Sequence, residues 1–266
     1  MQKWWTYQKE RFPIFKNGLL VLAFSGSAIT YSGLATGTAV TWHSYLVAFI
    51  SCLLFFLQLR IADEFKDAEE DAQYRSYRPV PRGLIKLSEL RIVFILAALI
   101  QLGLALTISP YLLITLGISW LYLALMSKEF FLREWITQRP ITYLWTHMLI
   151  MPLIDLYATS CQWLPVGEKP WLGLTFFLLA SFGNGLVIEI GRKLRLPENE
   201  ETGVPTYSKL WGLRRALWVW IGCLFFTLAF GCIAAILIQA FTLTLITLGV
   251  LFSLALILCL NPKLPF

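Results

Sequence analysis

Residues 48–71 read Ala48-Phe49-Ile50-Ser51-Cys52-Leu53-Leu54-Phe55-Phe56-Leu57-Gln58-Leu59-Arg60-Ile61-Ala62-Asp63-Glu64-Phe65-Lys66-Asp67-Ala68-Glu69-Glu70-Asp71, an apolar run that ends abruptly in acids. The apolar part belongs to a stretch over 43–61, long enough to cross a hydrocarbon core of about 30 Å as a helix. Seven further stretches of the same character cover 15–34, 91–109, 110–127, 141–161, 171–190, 215–237 and 240–260. Backbone polar groups in lipid must be satisfied within the spanning segment, and these unbroken runs lack the alternation of a membrane barrel strand. The sequence therefore predicts an all-α, polytopic transmembrane bundle of eight spans. Gly and Pro inside the runs, such as Pro152, Gly183 and Gly185, are compatible with packed membrane helices.

Composition points the same way. Of 266 residues, 58% are apolar and 14% charged, against roughly a quarter charged in a soluble domain. The basic residues fall almost entirely on one side of the predicted spans, with Lys169 on the other. Short cytoplasmic loops accumulate Lys and Arg, so both termini are expected to be cytoplasmic. The net charge of +6 then reads as topology rather than as affinity for nucleic acid. The start, Met1 to Pro13, lacks the short apolar segment and small-residue cleavage site of a removable signal, so the first span is expected to remain as an anchor. Five cysteines without CxxC spacing argue against a disulfide framework or a zinc site. Residues 1–266 are expected to form one transmembrane domain, and the placement of polar loops after the second and sixth spans suggests two related four-helix halves.

Function is expected in those two polar loops, 62–90 and 191–214. If the second helix continues past the membrane, each residue advances about 100°. Glu64, Asp67 and Asp71 then lie within about 100° of Asp63, and four carboxylates share a face. Like charges at this spacing repel, so a cation should compensate them. Mg²⁺ suits such a site because it takes carboxylate oxygens and completes its shell with water and substrate phosphates. A solvated, salt-bridged helix end is the plainer reading. The chain continues Tyr77-Arg78-Pro79-Val80-Pro81-Arg82-Gly83, where two prolines prevent helix continuation and force a turn. Arg75, Arg78 and Arg82 around it are candidates for phosphate contacts.

These residues resemble the UbiA superfamily of intramembrane prenyltransferases. Its first motif, Asn-Asp-x-x-Asp-x-x-x-Asp followed by Arg-Pro-x-Pro-x-Gly, is matched by Asp67 and Asp71, with Asp63 at the Asn position and Glu64 at the first Asp position. Arg78, Pro79, Pro81 and Gly83 match the turn. The resemblance implies a helical bundle, commonly of nine spans, with a central cavity opening to the cytoplasmic side and to lipid. It also implies a site in which acids after the second and sixth helices hold Mg²⁺ and an isoprenyl diphosphate. In the second segment Gly203, Val204 and Thr206 match a Gly-Val/Ile-x-Thr turn. The acids depart from the Asp-x-x-x-Asp pattern: Glu189 is followed by Lys193, and Glu198, Glu200 and Glu201 come later. Glu189 and Lys193 one helical turn apart also read as a helix-end ion pair. By resemblance, Asp63, Glu64, Asp67, Asp71, Glu189 and Glu198 form the metal set, and Arg192 and Lys193 join the substrate contacts; Asn184, a polar residue at membrane depth on the sixth span, reads either as a further substrate contact or as a bridge between helices.

The implied activity is Mg²⁺-dependent transfer of an isoprenyl group from its diphosphate to an aromatic or other lipophilic acceptor, in a bacterial cell membrane or an equivalent organellar membrane. Cyclisation of the prenyl chain is the alternative within the same fold, and transport of a cation or small molecule is the alternative of another class, although transporter sites usually lie near the midplane on broken helices. Asp155 and His147, both in the fifth span, are polar residues at membrane depth. A hydrated end and a packing histidine are the favoured readings of the two. Lys128, Glu129 and Arg133 close the fourth span where a cap over the cavity is expected. Aromatic residues lining the cavity would accommodate a developing allylic cation.

Overall fold

The computed structural model describes residues 2–201, 203–240 and 253, and among them the chain is helical with no strand. In chain order the helices are α1 (Gln2–Arg11), α2 (Ile14–Thr36), α3 (Trp42–Lys66), α4 (Ala68–Tyr74), α5 (Leu87–Ile108), α6 (Leu112–Ser127), α7 (Arg133–Thr137), α8 (Pro140–Met148), α9 (Ile150–Trp163), α10 (Leu172–Gly191), α11 (Tyr207–Trp211) and α12 (Leu213–Leu237). Five of them, α2, α3, α5, α10 and α12, are long and apolar enough to cross a membrane, and α6 is a shorter apolar helix. They carry the first, second, third, sixth and seventh expected spans, and α6 the fourth. The fifth is not one continuous helix. Its break falls at Leu149, three residues before Pro152, because a proline cannot donate to the carbonyl four residues earlier and its ring crowds that carbonyl. The eighth expected span, 240–260, lies almost wholly outside the described residues.

The chain divides into two compact units, residues 1–136 with 153–169, and residues 137–152 with 170–266. The chain passes from one unit to the other between the fourth and fifth expected spans, at 136/137, again within α9, at 152/153, and once more before α10, at 169/170.

In the first unit α3 is the central element, packing against α2, α5 and α6. Local signals set its ends. Thr41 caps it by accepting from the Ser44 N–H at 3.1 Å. The preceding loop closes on Gly37, which adopts φ +65° and donates to the carbonyls of Gly33 and Leu34, a conformation natural to glycine. Hydrogen bonds then cross the apolar interior. Gln101 donates to the Ser51 carbonyl at 3.0 Å and accepts from the Trp120 indole at 2.9 Å. Ser51 meets the Tyr157 hydroxyl at 3.1 Å, and Thr115 meets Ser160 at 2.8 Å. With no hydrophobic drive between helices in lipid, such polar links and close packing hold the bundle.

In the second unit α10 packs on α12 through small residues. A Cβ at Gly183 would lie 2.3 Å from the Thr227 hydroxyl and 2.9 Å from the Phe226 ring. The Trp220 indole donates to the Val187 carbonyl at 2.9 Å. Gly183→Val is therefore expected to cost about 1–3 kcal/mol of overpacking, read as a lower thermal midpoint in detergent. Gly18→Val, at a helical glycine with nothing within 4 Å of the added carbon, is expected to leave the midpoint unchanged.

Candidate functional site

The acids after the second span take the expected register. α3 continues to Lys66, so Asp63 and Glu64 occupy its last turn. The chain bends only at Asp67 (φ −92°, ψ 6°) before α4 begins. The Asp67 N–H donates to the Asp63 carbonyl at 2.9 Å, and the Asp71 N–H to the Asp67 carbonyl at 2.8 Å. Three acids at four-residue intervals are thus joined by the backbone.

Their side chains meet different basic residues. Asp71 is 2% exposed and is held by Arg75 at 2.7 Å and Arg78 at 2.6 Å. Arg75 also reaches Glu70 at 3.1 Å. Burial alone would lower the Arg78 pKa, but its hydrogen bond and attraction to Asp71 outweigh this and raise it. Glu64, equally buried, turns to α1 and pairs with Arg11. Asp63 stays partly exposed between Arg60 at 3.6 Å and Lys66 at 3.7 Å. Lys66 also meets Glu129 at 3.7 Å.

Asp67 alone of the four carries no ion pair or side-chain hydrogen bond among the described residues. It is half-buried, and burial raises its pKa above that of an ordinary aspartate; Lys66 opposes this, while Asp63, Asp71 and Glu70 reinforce it. Asp67, without an ion pair of its own and beside the partly exposed Asp63, offers carboxylate oxygens of the kind a hard divalent cation takes.

The proline turn follows. The Arg82 guanidinium donates to the Tyr77 carbonyl and to Glu10, each at 2.9 Å. Gly83 takes φ +76° and its N–H donates to Val80. This is the left-handed position that explains a glycine at the end of the motif.

In the second unit Glu189 is buried at the end of α10 and clamped by Arg192 and by Lys193, the latter at 2.9 Å. The Lys193 ammonium lies 5.6 Å from the centre of the Tyr207 ring. Thr206 caps α11 by accepting from the Lys209 N–H and donates its hydroxyl to Glu200 at 2.6 Å. Glu198, on the short turn Pro197–Asn199, is exposed, and so is Asn184 on α10. Among the described residues no three His, Cys, Asp or Glu side chains are gathered as a metal cluster. Within each unit the expected acids have their own partners: Glu64, Asp71 and Glu189 are paired with basic residues, and Glu198 is exposed.

His147 donates from Nδ1 to the Tyr143 carbonyl at 2.8 Å and stacks on the Tyr143 ring, as a packing histidine does. Asp155 is 3% exposed, not hydrated at a span end. Three features escaped the sequence. Arg11 and Glu10 bring α1 onto the acid segment. Lys66 links it to Glu129. Glu129, Phe130 and Phe131 all adopt positive φ, between 50° and 60°, where non-glycine residues are strained. A basic residue at the end of a short amphipathic helix was the available clue to the first; nothing in the residue types signalled the last.

A cavity of about 210 Å³ lies at the opposite end of the first unit, lined by Thr41, His43, Ser44, Thr107 and Gln162. Ser44 and Asp67 are separated by about 35 Å of helix, so this cavity does not serve the acids.

The family model of the UbiA prenyltransferase family matches residues 20–262. A solved structure described under "Structural and mechanistic insights into the biosynthesis of Digeranylgeranylglyceryl phosphate synthase in membranes" is similar, with a TM-score of 0.62 and 19% identity, covering 98% of this chain and 89% of that one. At that identity the likeness speaks for the fold. No curated protein matches the sequence.

A carboxyl with a raised folded pKa gives stability that is present below its unfolded pKa and lost as pH rises through the folded one, so ionised Asp67 weakens the fold at neutral pH. Asp67→Asn is expected to raise the thermal midpoint at pH 7. The gain should fade toward about pH 4, where an ordinary aspartate takes up its proton. Thermal melts across that range check the sign.

Proposed function

Because the chain belongs to the UbiA prenyltransferase family and is an integral membrane enzyme of prenyl transfer, we propose that it acts on a prenyl diphosphate donor and a lipophilic acceptor, aromatic or otherwise, with Mg²⁺ held at the end of α3. The observation that carries this reading is Asp67, a half-buried carboxylate without an ion pair, next in the register to Asp63 and Asp71, which are paired with basic residues.

In this reading Asp63 and Asp67 hold the metal, and Asp71 keeps Arg75 and Arg78 in place for the substrate. Held by Asp63 and Asp67, Mg²⁺ would supply positive charge to offset the charge accumulating on the leaving diphosphate. The chain's own residues supply the rest. Arg75 and Arg78, two guanidiniums on one carboxylate, have donors to share with a phosphate. Arg82 brings a third guanidinium to the rim of the turn. The bond between the allylic carbon and the diphosphate oxygen breaks with its electron pair going to oxygen. The acceptor then forms the new bond at that carbon and gives up a proton, which the departing diphosphate takes up. Fixed cations already in place cost no reorganisation when the charge develops.

In the second segment Arg192 and Lys193 outnumber Glu189 by one charge, which supports a role on anionic substrate rather than on metal. Asn184, exposed on α10, is a further candidate substrate contact. Single-domain organisation, a full complement of eight or nine spans around a cavity open to lipid, and a cytoplasmic site with both termini on that side belong to the same proposal. The one-sided distribution of Lys and Arg supports the orientation. Transport fits less well, since the acids sit at a helix end and not at a break near the midplane.

Purified protein in lipid nanodiscs, given labelled prenyl diphosphates of several lengths and lipophilic acceptors, is expected to release diphosphate only with Mg²⁺ present. Asp67→Ala should lower kcat by about a hundredfold or more while the fold stays intact. Folded wild-type protein that turns over no donor with any acceptor would count against prenyl transfer by this site. A hydrocarbon product formed without acceptor would redirect the reading to cyclisation.

A further inference from the structure

Glu64 occupies the acid segment yet cannot face a metal in this arrangement. Its carboxylate is 1% exposed and the guanidinium it meets, Arg11, is 11% exposed. Glu64 and Asp63 diverge by about 100° around α3. Turning Glu64 into α1 therefore leaves Asp63 pointing outward beside Asp67.

α1 itself touches three separate segments. Tyr7 is buried against Ile61 of α3, Ile85 after the proline turn and Leu90 of α5. Glu10 holds Arg82 in the turn at 2.9 Å. Lys3 pairs with Glu89 in the first turn of α5. The Arg11 contact completes this set on the acid-bearing helix end, and it is the most deeply buried of the three ion pairs.

We propose that Arg11 and Glu64 are a positioning pair, which sets the rotation of the last turn of α3 so that Asp63 and Asp67 face the substrate, with Glu64 acting through Arg11 and not as a metal ligand. The inference rests on the reading of Asp63 and Asp67 as the metal-holding carboxylates. It assigns α1 to the working enzyme as the splint that keeps the acids, the proline turn and the start of α5 in register. Pairing also removes one negative charge from a face where Asp63, Asp67 and Asp71 already repel.

The test compares Arg11→Met, Glu64→Gln and the charge swap Arg11→Glu/Glu64→Arg with wild type. Each single variant is expected to lower kcat of the folded enzyme about tenfold, while the Mg²⁺ concentration for half-maximal activity and the donor KM stay within about twofold. The swap keeps the pair with its ends reversed and should return kcat to within about threefold of wild type. In metal-free protein, amide exchange over residues 2–11 and 60–75 should quicken in both single variants and slow again in the swap.

Three results would overturn the proposal. One is a Glu64→Gln enzyme whose Mg²⁺ requirement rises more than about tenfold while Arg11→Met keeps wild-type kcat, which makes Glu64 a ligand. Another is a fall in thermal midpoint alone, with kcat unchanged in both single variants, which makes the pair merely structural. The third is a folded swap variant no better than the single ones. A swap variant that fails to fold leaves the decision to the single variants. Absence of prenyl transfer by wild type would sink the reading of the site, whereas a failed pair test in an active enzyme sinks only this inference.

Discussion

A carboxylate taken out of water at the edge of a membrane bundle must be matched by a cation. That constraint organises the ends of the helices in this protein. Asp71 answers to Arg75 and Arg78, Glu64 to Arg11, and Glu189 to Arg192 and Lys193. Removing one partner of such a pair costs about 3–5 kcal/mol, because the other charge stays buried and alone. The pairs therefore fix how far each helix runs and which way its last turn faces. Asp67 is the exception among the four, with no ion pair among the described residues, and burial raises its pKa against the opposing pull of Lys66.

The apolar runs were legible because a membrane-crossing helix needs only length and hydropathy, and α2, α3, α5, α10 and α12 appear close to where those runs lie. The break in the fifth run was foreseeable in principle from Pro152. Hydropathy averages over a break that leaves composition unchanged, so it passed unmarked. The spacing of Asp63, Asp67 and Asp71 was legible too, since helical register follows from counting and the single bend at Asp67 preserves the backbone bonds on either side. What counting could not supply was the choice of partners. Arg11 is 53 positions from Glu64, and only the folding of α1 onto the end of α3 brings them together. The four carboxylates take different partners: Glu64 is anchored on α1, Asp71 is paired with two arginines, Asp63 sits between Arg60 and Lys66, and Asp67 carries no ion pair among the described residues.

The second segment shows the same constraint with a different outcome. Where the family pattern expects an acid four residues after the first, this chain has Lys193, and the lysine neutralises the buried Glu189. The substitution converts an anionic corner into a net cationic one, with Tyr207 beneath the ammonium. The Gly-Val-x-Thr turn keeps its form through the Thr206 cap of α11, so the frame of the segment persists while its charge is altered.

The central claim is that the end of α3 holds a divalent cation and a diphosphate together, with Asp67 as the deciding ligand. Mn²⁺ in place of Mg²⁺, added to purified protein with a nonhydrolysable prenyl diphosphate, allows electron–nuclear spectroscopy to read phosphorus coupling at the bound metal. Phosphorus coupling in the wild type that disappears in folded Asp67→Ala is the predicted result. The same coupling with undiminished Mn²⁺ affinity in Asp67→Ala would contradict it.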